Sequence, residues 1–292
     1  MGHHDTLTAL PLGTELGGGY RLTRLISEGG MATVYEAIQL RLDRRVAVKV
    51  MVPALADQPE ALARFRREVK ITSKLAHPHI VQLLDIGTTA TGQPYLVTEF
   101  LEGEDLEQRL ARSGRLPLTT AMTILRQIAS ALAAVHAKGI IHRDLKPGNV
   151  LIVATEGITD FVKVLDFGIS KVASSGTKLT HTSTVLGTPE YMSPEQASGR
   201  ANEVDHRTDQ WSLACTAWRM LSGHPPFTGA DLDELLTSIV NAEPPPLLDL
   251  APQLPADLDR VFRRALSKPR SGRFASVAAF MRALEGAAES PA

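Results

Sequence analysis

The stretch "IIHRDLKPGNVLIV" places a carboxylate, an ammonium and an amide close together, at Asp144, Lys146 and Asn149. Further along, "VKVLDFG" brings a second carboxylate at Asp166. The first run reads as a loop that enters a strand at "NVLIV" and the second as a strand, "FVKVLD", with the intervening "ATEGITD" as the turn of an antiparallel hairpin. Asn149 then opens one strand and Asp166 closes the other, so their oxygens lie at the same end of the hairpin. An amide and carboxylates converging there make a hard oxygen site of the kind Mg²⁺ uses when it is shared with phosphates. The competing reading is a polar loop between a helix and a strand. Several such motifs in one order weigh against it.

Positioning these groups requires a sizeable core. The chain has 292 residues, 43% hydrophobic and 22% charged, enough for one large domain or two lobes. Its 31 basic and 32 acidic side chains are well mixed, so nucleic acid and anionic lipid are poor default partners. The single cysteine, Cys215, lies in the apolar run "WSLACTAW" and reads as a core thiol in a reducing, cytoplasmic setting. No run approaches ~18 consecutive apolar residues, so no membrane span is expected.

From Tyr20 to Leu96, β-branched residues alternate between turn signals, which predicts a small antiparallel sheet with one helix. Beyond Gly103 the text turns helical; its longest periodic run, "LTTAMTILRQIASALAAVHAKG", closes on Lys138 and Gly139. The change of character marks a lobe boundary near residues 99–104, and "NAEPPPLLDLAPQLP" reads as a loop between helices. The ends, 1–18 and 286–292, read as loose segments.

"HRDLKPGN", "DFG", "VAVKV" and "GTPEYMSPE" occur in the order and at the spacings of the Hanks-type protein kinases, and the chain resembles their bacterial serine/threonine members from about Tyr20 to Leu284. The resemblance implies an α+β, bilobal protein kinase fold spanning 19–285. A small β-rich N-lobe with one main helix (19–101) precedes a larger, mainly α-helical C-lobe (102–285), with ATP bound between them. It implies phosphoryl transfer from ATP with Mg²⁺, or Mn²⁺ in its place, to Ser/Thr hydroxyls of protein substrates. Asp144 resembles the acid that accepts the substrate proton, and Lys146 would steady the γ-phosphoryl group. Asn149 and Asp166 would hold the metal. Lys49 resembles the lysine that pairs the α- and β-phosphates, and as a charge on a half-buried strand it needs a partner. In the run "DQPEALARFRREVKITSKLAHP", Leu62, Phe65, Thr72 and Leu75 share one helix face with Glu68 amid them. Glu60 sits in the first turn as a cap, so Glu68 is the expected partner of Lys49.

For the nucleotide, the resemblance points to Ile26, Val34, Ala47 and Leu151 as apolar walls, Glu99 to Leu101 as hinge, Thr98 as a small gatekeeper, and Asp105 at a ribose-contacting position. The acids Glu102, Glu104 and Glu107 read either as a solvated face or as a preference for basic substrates. The phosphate loop is Ser27, Glu28, Gly29, Gly30, Met31, Ala32 and Thr33, with Ser27 replacing the family's first glycine and Ala32 its third. Gly29 and Gly30 sit where the backbone approaches phosphate most closely. Ser27 is tolerated at the strand edge if its φ stays negative.

The Ser/Thr-rich segment from Asp166 to Glu195 reads as an activation segment phosphorylated at Thr180 and Thr182, with self-association for trans-phosphorylation and Arg143 as phosphate anchor. Thr188 belongs to the serine/threonine pattern. Glu195 resembles the acid that pairs with a late arginine, here Arg273, and Asp209 the residue that holds the catalytic loop. Two other classes compete: a catalytically silent scaffold of the same fold, and a small-molecule phosphotransferase. The first is opposed by the presence of Lys49, Glu68, Asp144, Asn149 and Asp166, and the second by the activation segment. The P-loop pattern G-x-x-x-x-G-K-[ST] does not occur. Ser27→Gly is expected to change ATP affinity by less than about tenfold, on the order of 1.4 kcal/mol, in a binding titration; a gain of several hundredfold would mean an impaired loop.

Overall fold

The computed structural model describes residues 9–30, 32–53, 62–63, 65, 69, 73, 75–155, 157–166 and 189–290. They belong to two compact units. One holds Val81–Glu102 and the described part of Met1–Ala76. The other holds His77–Ile80 and the described parts of Gly103–Gly168 and Gly187–Ala292.

The first unit is built on an antiparallel sheet in the order β1-β2-β3-β4-β6-β5. Its strands are β1 (Glu15–Leu16), β2 (Tyr20–Glu28), β3 (Ala32–Gln39), β4 (Arg44–Met51), β5 (Leu83–Thr88) and β6 (Pro94–Glu99). One face is fully apolar: Tyr35, Ala37, Val46, Val48, Val50 and Val97 pack in one cluster with Leu16, Tyr20 and Leu22. The period of two in "VAVKV" therefore turns Ala47 and Lys49 to the other side. Residues 9–18 are held to the sheet, contrary to the expectation of a loose end. Tyr95 Oη donates to Gly17 O, Leu10 N to Tyr35 Oη at 2.7 Å, and β1 pairs with β2.

Leu62, Phe65 and Val69 are helical, and Phe65 and Val69 are buried against Met51 and Leu96. The apolar stripe thus runs through Val69 and stops short of Leu75, which lies in irregular chain. The reason is topological: the chain leaves the helix to deliver His77–Ile80 to the second unit, where Ile80 bridges Val164.

The second unit opens with β7 (Gly103–Asp105), which pairs with β8 (Val150–Thr155); β8 in turn pairs with β9 (Ile158–Val164). Its helices include α1 (Leu106–Ser113), α2 (Leu118–His136), α3 (His206–Ser222), α4 (Leu232–Asn241), α5 (Asp257–Ala265) and α6 (Val277–Ala288). Helix α2 is long and apolar enough to cross a membrane by length and composition, but half of that stretch is buried within the unit, where it packs on β9, α3 and α6. Gly139 ends it in the left-handed region, at φ 72°. Helix α3 is buried nearly all round, Cys215 included, and burial pushes that thiol up. An aromatic chain links Trp218, Phe262, Phe280 and Phe274 across α3, α5 and α6.

Two sequence expectations change here. The proline-rich segment contains a one-turn helix, Leu247–Leu250, because Pro246 supplies a start and Asp259 Oδ1 accepts from Leu247 N at 2.8 Å. Residues 286–288 continue α6, where Ala287 is buried.

A buried charge pair joins Glu195 and Arg273, the latter side chain having no exposure. Arg273 Nη1 and Nη2 donate to the two carboxylate oxygens at 2.9 and 2.8 Å, and Thr208 Oγ1 adds a bond at 2.7 Å. Burial alone would raise the Glu195 carboxyl, but these donors outweigh it and hold it below the usual range. Removing one partner strands the other charge, so Arg273→Ala is expected to cost about 3–5 kcal/mol in urea unfolding. The exposed Arg24–Glu36 pair provides the contrast, with Arg24→Ala expected to cost under about 1 kcal/mol.

Candidate active site

The two units contribute separate groups of residues. In the first unit, Val34 pairs with Lys49 and Lys49 with Leu96, while Glu36 pairs with Ala47 and Ala47 with Thr98. Directly paired residues share a face, so Val34, Ala47, Lys49 and Thr98 lie on the side opposite the apolar cluster. All four are half-buried. The edge beyond β6 is tied down at both ends. Glu99 N donates to Gln82 O at 3.0 Å and Gln82 N to Glu99 Oε1 at 2.9 Å. Arg45 stacks 4.6 Å above Phe100 and pairs with Glu102. Leu101, between them, is half-buried.

The predicted phosphate loop is the connection between β2 and β3. Gly29 N donates to Ala32 O at 3.0 Å, one step beyond the Glu28–Thr33 pair. Ser27 pairs with Val34 and lies outside the left-handed region. Ile26 sits in the register shift between Leu25 and Ser27 and is 43% exposed. Among the described residues a β-carbon at Gly29 would meet only Ala32 O, at 3.5 Å, an ordinary contact. Met31 and Glu68 lie outside the described residues.

In the second unit β8 and β9 form the expected hairpin, but with a tighter turn than "ATEGITD": Ala154, Thr155 and Ile158–Asp160 are strand, because Thr155 already pairs with Ile158. Val150 pairs with Val164, and Leu165 N donates to Asn149 O at 2.9 Å, so Asn149 and Asp166 stand at one end. Leu151, opposite Lys163 on one side and Asp105 on the other, is half-buried. Asn149 Nδ2 donates to Asp144 O at 2.7 Å and to Asp144 Oδ2 at 3.1 Å. This turns the amide oxygen of Asn149 the other way. Lys146 Nζ stands 3.4 Å from the same Asp144 Oδ2. Asp166 adopts φ 56°, which a short polar side chain tolerates. An amide oxygen, a carboxylate and a neighbouring acid–lysine pair suit a hard divalent cation that completes its shell with phosphate and water.

The loop bearing Asp144 is set by Asp209, which has no exposure. Its carboxylate accepts from His142 N and Arg143 N, both at 2.8 Å, and contacts His136 Nε2 at 2.7 Å. His142 Nε2 in turn lies 2.9 Å from Leu165 O, and Asp144 N lies 3.3 Å from His142 Nδ1. That network assigns the ring proton to Nε2. Arg143 takes φ 66°, and Gln196 Nε2 donates to its carbonyl at 2.9 Å. Gln196 belongs to the one-turn helix Pro194–Ala197 that carries Glu195.

Sequence reasoning missed His136, Gln196 and Thr208. A signal existed for His136, since a buried aspartate on α3 needs more donors than a loop backbone supplies. Asp105 has a structural job: its Oδ1 accepts from Gln108 N at 2.8 Å and caps α1. The acids around it are paired within the chain. Glu104 binds Arg109 and Arg112, whose guanidiniums hold it well below the usual carboxylate range, at about 2. Glu107 faces Arg219 at 3.8 Å. Thr180, Thr182 and Thr188 lie outside the described residues.

Residues 20–276 match the family described as the protein kinase domain. The chain is 40% identical to the serine/threonine-protein kinase Pkn1 of Myxococcus xanthus over 92% of its own length and 38% of that protein's. It is also 40% identical to PknB of Mycobacterium tuberculosis, over 92% and 43%. It therefore spans less than half the length of these two relatives. Among solved structures, the PknI kinase domain of M. tuberculosis superposes with a TM-score of 0.76 at 30% identity, over 96% of this chain and all of that one. The structure of Rad53 in complex with AMP-PNP gives 0.74 at 28%, over 91% and 65%.

Removing the Asp209 carboxylate leaves two backbone amides and an imidazole without their acceptor. Asp209→Ala is expected to destabilise the unit by roughly 2–5 kcal/mol and to raise hydrogen exchange at the His142 and Arg143 amides. Unchanged exchange there would show that the loop is held by something else.

Proposed function

The chain belongs to the protein kinase family, and on that premise we propose that it transfers the γ-phosphoryl group of Mg-ATP to serine or threonine hydroxyls of proteins. The observation that carries this reading is the convergence of Asp144, Lys146 and Asn149 at the end of a hairpin whose other strand leads to Asp166. It is supported by the serine/threonine-kinase relatives and by the AMP-PNP named for a structural neighbour.

In this reading Asp144 Oδ1 or Oδ2 accepts the substrate hydroxyl proton. Lys146, across a 3.4 Å gap from Asp144, supplies positive charge toward the transferred group, where negative charge spreads in the transition state. Asn149 and Asp166 would hold Mg²⁺ or Mn²⁺, whose chemistry when bound is to neutralise phosphate oxygens. Lys49, on the face of β4 opposite Val46, Val48 and Val50, would bind the α- and β-phosphates, with Glu68 as its partner. The small Thr98 beside Ala47 in register leaves room next to the purine. The β2–β3 turn would close over the phosphates, with backbone N–H groups as donors. Thr180 and Thr182 are the proposed autophosphorylation sites, with Arg143 as anchor and a second copy of the chain as the trans substrate. The cytoplasm is the proposed location.

The test is incubation with labelled ATP and Mg²⁺ beside Asp144→Asn. Wild-type incorporation is expected to exceed the variant's by at least about 100-fold, with phosphopeptide mapping placing self-incorporated label on Thr180 or Thr182. No wild-type incorporation into itself or generic protein substrates would favour the scaffold reading.

A further inference from the structure

The six-stranded sheet ends at the link expected to hold the purine, and one side chain reaches across that end. Val46 and Glu99 form the last pair of the β4–β6 ladder, so the register carried one step further sets Arg45 opposite Phe100. Phe100, Leu101 and Glu102 belong to neither β6 nor β7. Among the described residues the backbone N–H and C=O of Leu101 make no hydrogen bond. Side chains do here what the ladder no longer does. The Arg45 guanidinium carbon lies 4.6 Å from the centre of the Phe100 ring, and Arg45 Nη2 donates to Glu102 Oε1.

Arg45 is itself braced from β3. Its Nη1 stands 3.9 Å from Glu36 Oε1, and Glu36 Oε2 accepts from Arg24 Nε and Nη2 at 2.9 and 2.7 Å. Only 13% of the Glu36 side chain is exposed, and Glu36 pairs in register with Ala47, which pairs with Thr98. A row of alternating charge, Arg24, Glu36, Arg45 and Glu102, therefore crosses β2, β3 and β4 on the face that carries Ala47 and Thr98, and stops at the link. All these residues belong to the first unit.

On the ATP reading above, on which this rests, we propose that Arg45 is a positioning residue for the nucleotide: it fixes Phe100 by its ring and Glu102 by its carboxylate, and so holds the uncommitted N–H and C=O of Leu101 ready for the donor–acceptor edge of a purine base. A link already held at both flanks gives up less freedom when the base docks, which is how preorganisation raises affinity. A planar guanidinium suits the double task, because its face stacks on a ring while its edge donates to a carboxylate. Both contacts lie at the link, so the effect belongs to the base and not to the phosphates.

The test is calorimetric titration of the whole protein with adenosine and with Mg-ATP. Arg45→Ala is expected to weaken both ligands by the same factor, about three- to tenfold, the scale of one exposed cation–π contact together with one exposed ion pair. Glu102→Gln, at an exposed position, is expected to weaken both by about two- to threefold. In a protein already carrying Phe100→Leu and Glu102→Gln, Arg45→Ala is expected to add less than about twofold, since its partners are gone. With labelled ATP, the KM of Arg45→Ala for ATP is expected to rise while kcat stays within about twofold of wild type, the mark of lost uniform binding. Binding of both ligands within about twofold of wild type in Arg45→Ala, a loss for Mg-ATP that adenosine does not share, or a full loss that persists without the Phe100 ring and the Glu102 carboxylate would overturn the proposal. These outcomes leave the ATP reading standing; a wild-type protein that binds neither ligand would overturn that reading and this one with it.

Discussion

A carboxylate with no exposure must be met by donors, and Asp209 draws its donors from the loop that carries Asp144. Charge-assisted bonds of this kind contribute about 1.5–3 kcal/mol each, and Asp209 accepts two from the backbone. The left-handed conformation of Arg143 costs roughly 1–2 kcal/mol. The two bonds outweigh that cost, so the loop keeps a shape it would not hold alone. That shape sends His142 inward to Leu165 O and leaves Asp144 half-exposed beside Asn149 and Lys146. The position of Asp144 is thus inherited from a charge buried in α3.

A second buried charge fixes the other side of the same loop. Glu195 is gripped by Arg273, and Arg273 also donates to Ser267 O and Lys268 O at 2.8 and 3.0 Å. The one-turn helix of Glu195 therefore cannot drift relative to Ser267–Arg273, and its Gln196 reaches the Arg143 carbonyl. Arg143 is consequently held at its amide by α3 and at its carbonyl by this helix. Two ion-bearing anchors converge on one residue, which explains why so short a helix persists: it has tertiary partners in place of length.

The convergence of Asp144, Lys146 and Asn149 beside the hairpin was legible because these residues are local to one another and the hairpin has a period of two. The β4 face was legible for the same reason, since "VAVKV" declares which side is apolar. What the pattern hid was of two kinds. Capping and pairing look like polarity in a sequence: the pattern did not show that Asp105 also caps α1, or that Glu102 and Glu104 pair with Arg45, Arg109 and Arg112. Long-range contacts have no local signature either. The tethering of residues 9–18 through Tyr35 and Tyr95, and the loss of Leu75 from the helical stripe, both follow from where distant chain must go.

The β2–β3 turn separates a requirement of folding from a requirement of function. Ser27 is accommodated by ordinary strand pairing with Val34, so its side chain costs the backbone nothing that a glycine would restore. Among the described residues a β-carbon at Gly29 would meet Ala32 O alone, an ordinary contact at 3.5 Å. Anions approach backbone N–H groups most closely where no side chain intervenes. The strand-bound edge of the turn thus carries a side chain at Ser27 at no cost to the sheet, while Gly29 presents bare backbone, as the proposed phosphate-binding role of the turn requires.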